Sequence, residues 1–419
     1  MSHVIEKLFA REVLDSRGNP TVEVEIHSGT KFGRFIVPSG ASTGEHEAIE
    51  LRDGNDRFHG KGVLNTISKI KQEIFPKIKG FQVSDQEGLD NLLIDLDGTV
   101  NKGNLGANAM LGISIANLKL AAKIEDKRLF EYIGSGTRLP CPMLNVINGG
   151  KHAGGNLAIQ EFMLMPIGFD RFSEALRAGC EVYQELKKYL KKKYGGSAIN
   201  VGDEGGFAPP IDQTKDALNA LIESIENSGY SIEDQFYIGI DAAASEFYNE
   251  GKYFIDGKSL ETEDFVAYYE EIIDAYPILL SLEDPFYEND FTSFSKLVSK
   301  YQRSKSIVGD DLTVTNVNRI NMAIENNAMN YLLLKVNQIG TYTESLQAFN
   351  LTKSKDWGVV ISHRSGETED TFIADMAVGL DAERIKTGAP ARSERVSKYN
   401  QLLRIEEYLG DNATYCNKL

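Results

Sequence analysis

The sequence predicts a mixed α/β protein, with a small α+β domain over residues 1–137 and a TIM-like (β/α)8 barrel over residues 138–419. Three observations predict it. Strand-type segments crowd the start of the chain; beyond it, short apolar runs alternate with amphipathic helical stretches; and those runs end in polar residues spaced about one strand–helix unit apart.

The first segment carries VIEKLFAREVL, TVEVEIHS and GRFIVPS, separated by the turn sequences DSRGNP and SGTKFG, which predicts a three-stranded meander. Helical patterns follow in NTISKIKQEIFPKI, QEGLDNLLIDL and GANAMLGISIANLKLAAKI, and Pro76 is expected to end or kink the first of them. GSGTRLPCP, residues 134–142, lacks periodicity and is rich in Gly and Pro, so the boundary is placed there.

Beyond it come the apolar runs FMLMP, FYIGID, ILLSLED, SIVGDD, YLLLKVN, GVVISHR and RIKTG. Between them lie DALNALIESIENSG, TEDFVAYYEEIIDAY, FTSFSKLVSKYQ, NRINMAIENNAM and YTESLQAFNLTKS. Continuous apolar strands separated by helices predict a parallel sheet covered on both faces, and 282 residues suit one barrel better than a doubly wound sheet.

The polar strand ends carry the functional signal. Asp241, Glu283, Asp310, Lys335, His363 and Lys386 follow one another at intervals of 42, 27, 25, 28 and 23 residues. One side chain per unit therefore converges on one mouth, the end where barrels of this kind host chemistry. Three carboxylates, Asp241, Glu283 and Asp310, make a hard oxygen site that favours Mg2+ over zinc or copper. Capping of the following helices is the competing reading, and Asp284–Pro285 and Asp310–Asp311 fit it. Lys335, sharing its site with Lys386, is expected to have a depressed pKa and so to serve as a base beside a carboxylate; a solvated surface lysine is the alternative. A lysine base with Mg2+ is the arrangement known for ene-diolate chemistry. Glu204, in the Gly-flanked segment VGDEGG, offers a general acid, while Arg364 and Ser365 offer an anion site or a helix cap. Two Gly-rich loops, SGASTGE with Ser42 and NGGKHAGG with His152, are lid candidates or plain surface loops.

Lys plus Arg total 45 against 61 Asp plus Glu, a net charge of −16 that argues against nucleic acid and anionic membranes as partners. Cys141, Cys180 and Cys416 form no CxxC pair, which points to the reducing cytoplasm. The N-terminus has no apolar signal core and no stretch is long enough for a membrane span. HEAIE at 46–50 lacks the second His of a zinc protease helix, and Gly251 to Gly257–Lys258–Ser259 is misspaced for a P-loop.

The blocks DSRGNPTVEVE, SGASTGEHEA, NGGKHAGG, IQEFMLMP, VGDEGGFAP, GIDAAASEF, SLEDPF, VGDDLTVTN, LLLKVNQIGT, ISHRSGETED and RIKTGAPARSERVSKYNQLLRIEE together resemble the enolase family, from about residue 5 to 408. The resemblance implies a barrel that starts ββαα rather than by plain alternation, and a fit to the irregular-looking stretch 166–235. It implies a hydro-lyase that interconverts 2-phosphoglycerate and phosphoenolpyruvate with two Mg2+ per site. Lys335 then resembles the base at C2 and Glu204 the acid at the C3 hydroxyl. Asp241, Glu283 and Asp310 resemble the ligands of the first Mg2+, and Ser42 a ligand of the second. Lys386 resembles the residue that holds the substrate carboxylate, Arg364 and Ser365 those that hold its phosphate, with His152, Gln160, Glu161 and His363 lining the pocket. A cytoplasmic homo-oligomer, dimer or octamer, is also implied. An acid-sugar dehydratase, or a binding protein keeping the fold, stays open, as does a second role in surface display.

Overall fold

A computed structural model describes residues 3–40, 44–153 and 155–416. The predicted meander forms from β1 (Lys7–Leu14), β2 (Pro20–Ser28) and β3 (Lys31–Ile36), all antiparallel. Its inner face, with Val22, Val24 and Ile26 fully buried on β2, packs against the helix α2 (Ala107–Ile124), which runs beside α1 (Gln86–Asp97). Gly33 lets α2 lie directly on the sheet, since a Cβ there would come within 2.0 Å of the Ala116 carbonyl oxygen. Pro76 does not break its helical stretch at once. A π-type turn over Ile70–Ile74 precedes it, with the Phe75 N–H reaching back to the Ile70 carbonyl, and the helical path runs on to Ile78, so the wider turn takes up Pro76 without ending the helix.

Residues 134–142 pack tightly. Gly134 and Gly136 press on the carbonyls of Gly379 and Val378, where a Cβ would meet oxygen at 2.1 and 1.9 Å. Arg138–Leu139 also pairs with Thr414–Tyr415 of the chain's last described stretch.

The barrel strands are β4 (Cys141–Asn148), β5 (Glu161–Met165), β6 (Tyr237–Asp241), β7 (Leu279–Glu283), β8 (Ser306–Gly309), β9 (Tyr331–Leu334), β10 (Gly358–Ser362) and β11 (Arg384–Lys386). They close in sequence order, with β11 returning to pair with β4. Plain alternation fails in one place: β4 and β5 form a hairpin, and β5 is antiparallel to both neighbours. The stretch 166–235 is not irregular either, because it holds α3 (Phe172–Tyr194) and α4 (Thr214–Asn227) before β6 begins. The order is therefore ββαα followed by βα units with α5 (Thr262–Ala275), α6 (Phe291–Tyr301), α7 (Val317–Asn326), α8 (Tyr342–Lys353), α9 (Phe372–Gly379) and α10 (Ser393–Leu409). Every residue of β4, β5, β7, β8 and β10 is buried, as expected of strands covered on both faces.

The small domain sits at the mouth end. Ser39 and Gly366 exchange backbone hydrogen bonds at 2.8 Å, Lys102 pairs with Glu344 at 2.7 Å and Lys119 with Asp370 at 2.6 Å. Among the described residues no helix is long and apolar enough to cross a membrane.

Candidate active site

Strand register builds the floor of the site. Glu161 is opposite Asp241, and Asp241 is opposite Glu283, so β5, β6 and β7 hold three carboxylates at one level. Glu161 reaches the mouth only because β5 runs backwards, which brings the first residue of the strand to the end where its neighbours finish. Lys386 crosses to this row from β11, with its Nζ 2.9 Å from Asp241 Oδ2, 2.8 Å from Glu283 Oε1 and 3.1 Å from Glu161 Oε2. Burial works against its charge, yet the carboxylates of Asp241, Glu161 and Glu283 hold its ammonium well above the ordinary lysine range. Burial and the neighbouring Asp241 carboxylate push Glu283 well up.

Asp310 follows β8 and Lys335 follows β9; the Lys335 ammonium donates to Asp310 Oδ2. This corrects the expected depression of Lys335. Burial does lower it, but the direct Asp310 contact outweighs burial and the repulsion from Arg364 and Lys386, and the net shift is upward. The helix-cap reading of the acids also fails. Asp290 and Asn316 cap α6 and α7, whereas Asp284 accepts the backbone N–H groups of Asp310 and Asp311 at 2.9 and 2.7 Å.

Glu204 arrives from a loop between α3 and α4 that clips onto β4, with Phe207 N–H on the Val146 carbonyl and Asn148 N–H on that of Phe207. Its Oε2 accepts from Asn145 Nδ2 at 2.9 Å and lies 3.4 Å from His363 Nε2; its Oε1 lies 3.4 Å from Ser365 Oγ and 4.0 Å from His152 Nδ1. Burial opposes its charge, but His363, His152 and Arg395 hold the carboxyl well below the usual range. Arg395 Nη1 donates to His363 Nδ1 at 2.6 Å, which leaves the ring proton on Nε2, facing Glu204. Burial pushes the His363 imidazolium down to about 4, consistent with that neutral tautomer.

His152 rides on the short helical turn Gly150–Ala153 in the β4–β5 hairpin, its Nε2 3.4 Å from Ser365 Oγ. Gln160 precedes β5 and is buried, with its Oε1 lacking a hydrogen-bond partner. Arg364 carries a two-pronged ion pair with Glu47 of the small domain, at 2.9 and 3.1 Å, and also donates to Asn337 Oδ1. Ser42 lies outside the described residues. All the other predicted residues gather at one mouth, where all but the fully buried Glu283 line one small polar cleft.

Among the described residues, possible metal donors within 4.8 Å of one another form two groups, Asp284–Asp310–Asp311 and His152–Glu161–Glu204. The expected set is split differently: Lys386 joins Asp241 and Glu283, and Lys335 holds Asp310. It still fits a hard divalent cation. Every donor is a carboxylate oxygen, and the fully buried Glu283 Oε2 has no hydrogen-bond partner. Sequence reasoning missed Arg395, Glu47 and Asn145. Arg395 lies on a helix whose pattern reads as ordinary, and nothing in the sequence marks the other two as facing the mouth.

Buried acids, lysines and histidines at the mouth of a ββαα barrel, roofed by a small α+β domain, define a class of lyase that removes a proton beside a carboxylate. Two family models match: "Enolase, N-terminal domain" over residues 5–133 and "Enolase, C-terminal TIM barrel domain" over 136–418. The enolase of Methanococcoides burtonii is 56% identical over 417 residues, 99% of this chain and 97% of that one. Those of Methanothrix thermoacetophila and Methanocaldococcus jannaschii are 53% and 54% identical, covering 100% and 97% of this chain and 99% and 96% of theirs. The chain belongs to the enolase family. It is a metal-dependent hydro-lyase of the phosphopyruvate hydratase type.

Proposed function

We propose that Lys335 is the base that takes the C2 proton of 2-phosphoglycerate and Glu204 the acid that serves the departing C3 hydroxyl. The observation that carries this assignment is that the ammonium and the carboxylate line one cleft with no partner in common, Lys335 held by Asp310 and Glu204 by Asn145. Such an arrangement can treat two adjacent carbons from opposite directions. Lys335 becomes a base only when Asp310 is engaged elsewhere, because the Asp310 contact is what keeps its proton on. In the hydration direction the ionised Glu204 accepts a proton from water, and in dehydration it returns that proton to the leaving hydroxyl.

Asp241, Glu283 and Asp310 would hold one Mg2+; a second is assigned to Ser42 together with the substrate phosphate. When bound, such cations would neutralise the ene-diolate charge. Lys386 is assigned to the substrate carboxylate, and Arg364 with Ser365 to the phosphate. The Arg364 fork suits a phosphate, although Glu47 shares it in this structure. His152, Gln160, Glu161 and His363 line the pocket, and the unpaired Gln160 Oε1 supports a polar ligand there.

The division at 137/138, cytoplasmic residence and a homo-oligomeric state, dimer or octamer, complete the proposal. The ranges 5–133 and 136–418 support the first, and Cys141, Cys180 and Cys416, which form no disulfide, support the second. The test of the site is a phosphoenolpyruvate absorbance assay with and without chelator. Turnover that persists after complete metal removal would overturn it.

A further inference from the structure

We propose that Gln338 is a positioning residue that sets the metal-binding carboxylate of Asp310 and ties it to the small domain. The proposal rests on the reading of Asp310 as a metal ligand. Gln338 has no exposed surface, and every polar group it brings is engaged. Its Nε2 donates to Asp310 Oδ1 at 2.8 Å and lies 3.4 Å from Glu47 Oε1; its Oε1 accepts from Thr315 Oγ1 at 2.9 Å. Its backbone carbonyl accepts the Ala48 N–H at 2.8 Å. One side chain thus links the loop after β8, the turn after β9 and the stem of the first Gly-rich loop, whose Glu47 grips Arg364.

The two Asp310 oxygens are held in different ways. Oδ2 takes the Lys335 ammonium, a contact the reaction must release, while Oδ1 takes a neutral amide that can stay in place throughout. A neutral donor fixes the plane of the carboxylate without cancelling its charge, as a donor behind a metal ligand should. Gln338 stands on Val336–Ile339, the helical turn that begins at Lys335, so base and positioning amide move together.

The support for Gln338 is itself strained. Val314 and Thr315 sit at φ 43° and 56°, a left-handed conformation costly for β-branched residues. The strained pair aims the Thr315 hydroxyl, which accepts the Lys335 N–H at 3.0 Å and donates to Gln338.

Calorimetric titration of the full chain with Mn2+ alone tests this, with thermal melts run alongside. Gln338→Met should weaken binding about 10- to 100-fold. Thr315→Val should weaken it less, and Thr315→Ser, which keeps the hydroxyl, should bind as the wild type does. If Asp310→Asn loses metal while Gln338→Met and Thr315→Val keep wild-type affinity, the positioning role is overturned, whatever their melting temperatures. If Asp310→Asn itself binds normally, the ligand assignment fails instead. Should Gln338→Met not fold, the Thr315 pair decides: equal affinity for the Val and Ser variants overturns the proposal.

Discussion

On one side of the mouth, the ammonium groups of Lys386 and Lys335 press against Asp241, Glu283, Glu161 and Asp310. On the other, Glu204 faces His363 and His152 across 3.4 and 4.0 Å, with Asn145 as its nearest donor. The first side is closed upon itself, and on the proposed assignment the Asp310 contact must open before Lys335 can act as a base. The second is loosely held, its carboxylate already ionised and its neighbours spaced for a ligand. On the proposed assignment, opposite tasks are thereby kept apart: the base is stored protonated, and the acid is stored deprotonated.

The sharpest way to break this comparison is to remove one side at a time. Lys335→Ala should abolish both turnover and solvent exchange of the C2 proton, a loss of about 10^4-fold or more by proton NMR in deuterium oxide. Exchange at the wild-type rate would strike Lys335 from the base role. Glu204→Gln should lower dehydration by about 10^2- to 10^4-fold yet leave C2 exchange measurable, because the histidine side acts at the other carbon. Equal loss of both activities would mean that the two sides are not separable.

A smaller effect concerns pH. His363 titrates at about 4 in the fold against 6.5 when free, so the unfolded chain binds the extra proton between those values. Its contribution to stability is present above pH 6.5 and is lost as pH falls towards 4. That difference corresponds to about 3 kcal/mol, and urea unfolding of His363→Gln between pH 4.5 and 7 should show a correspondingly flatter profile. An unchanged slope would assign the acid sensitivity to other groups. Smallest of all, Lys296→Ala removes an ion pair with Glu263 that is exposed on both sides, and should change stability by no more than about 0.5 kcal/mol. A larger change in the urea midpoint would show that exposed pairs matter here as buried ones do.

Much of the site was legible because a polar residue after an apolar run is a local signal. Asp241, Glu283, Asp310, Lys335, His363 and Lys386 all carry it, and all stand at the strand ends of the mouth. Glu161 does not, since β5 is reversed and its polar end comes first; only the family resemblance brought it in, together with Gln160. Glu204 was visible as a carboxylate between glycines, but its neighbours were not. Arg395 and Gln338 belong to helical turns whose periodicity looks ordinary, and their roles depend on which turn faces which loop.

The meander, the barrel class and the strand-end acids and bases follow from the sequence alone, because each depends on periodicity, turn chemistry or residue type within one segment. Strand direction and charge state were decided by the tertiary structure. Nothing local says that β5 runs antiparallel to both neighbours, since that depends on how the hairpin folds back. Nor does anything local say that Lys335 is raised rather than depressed, since like charge and burial lower it and a carboxylate 25 positions earlier in the chain, brought into contact by the barrel, outweighs both.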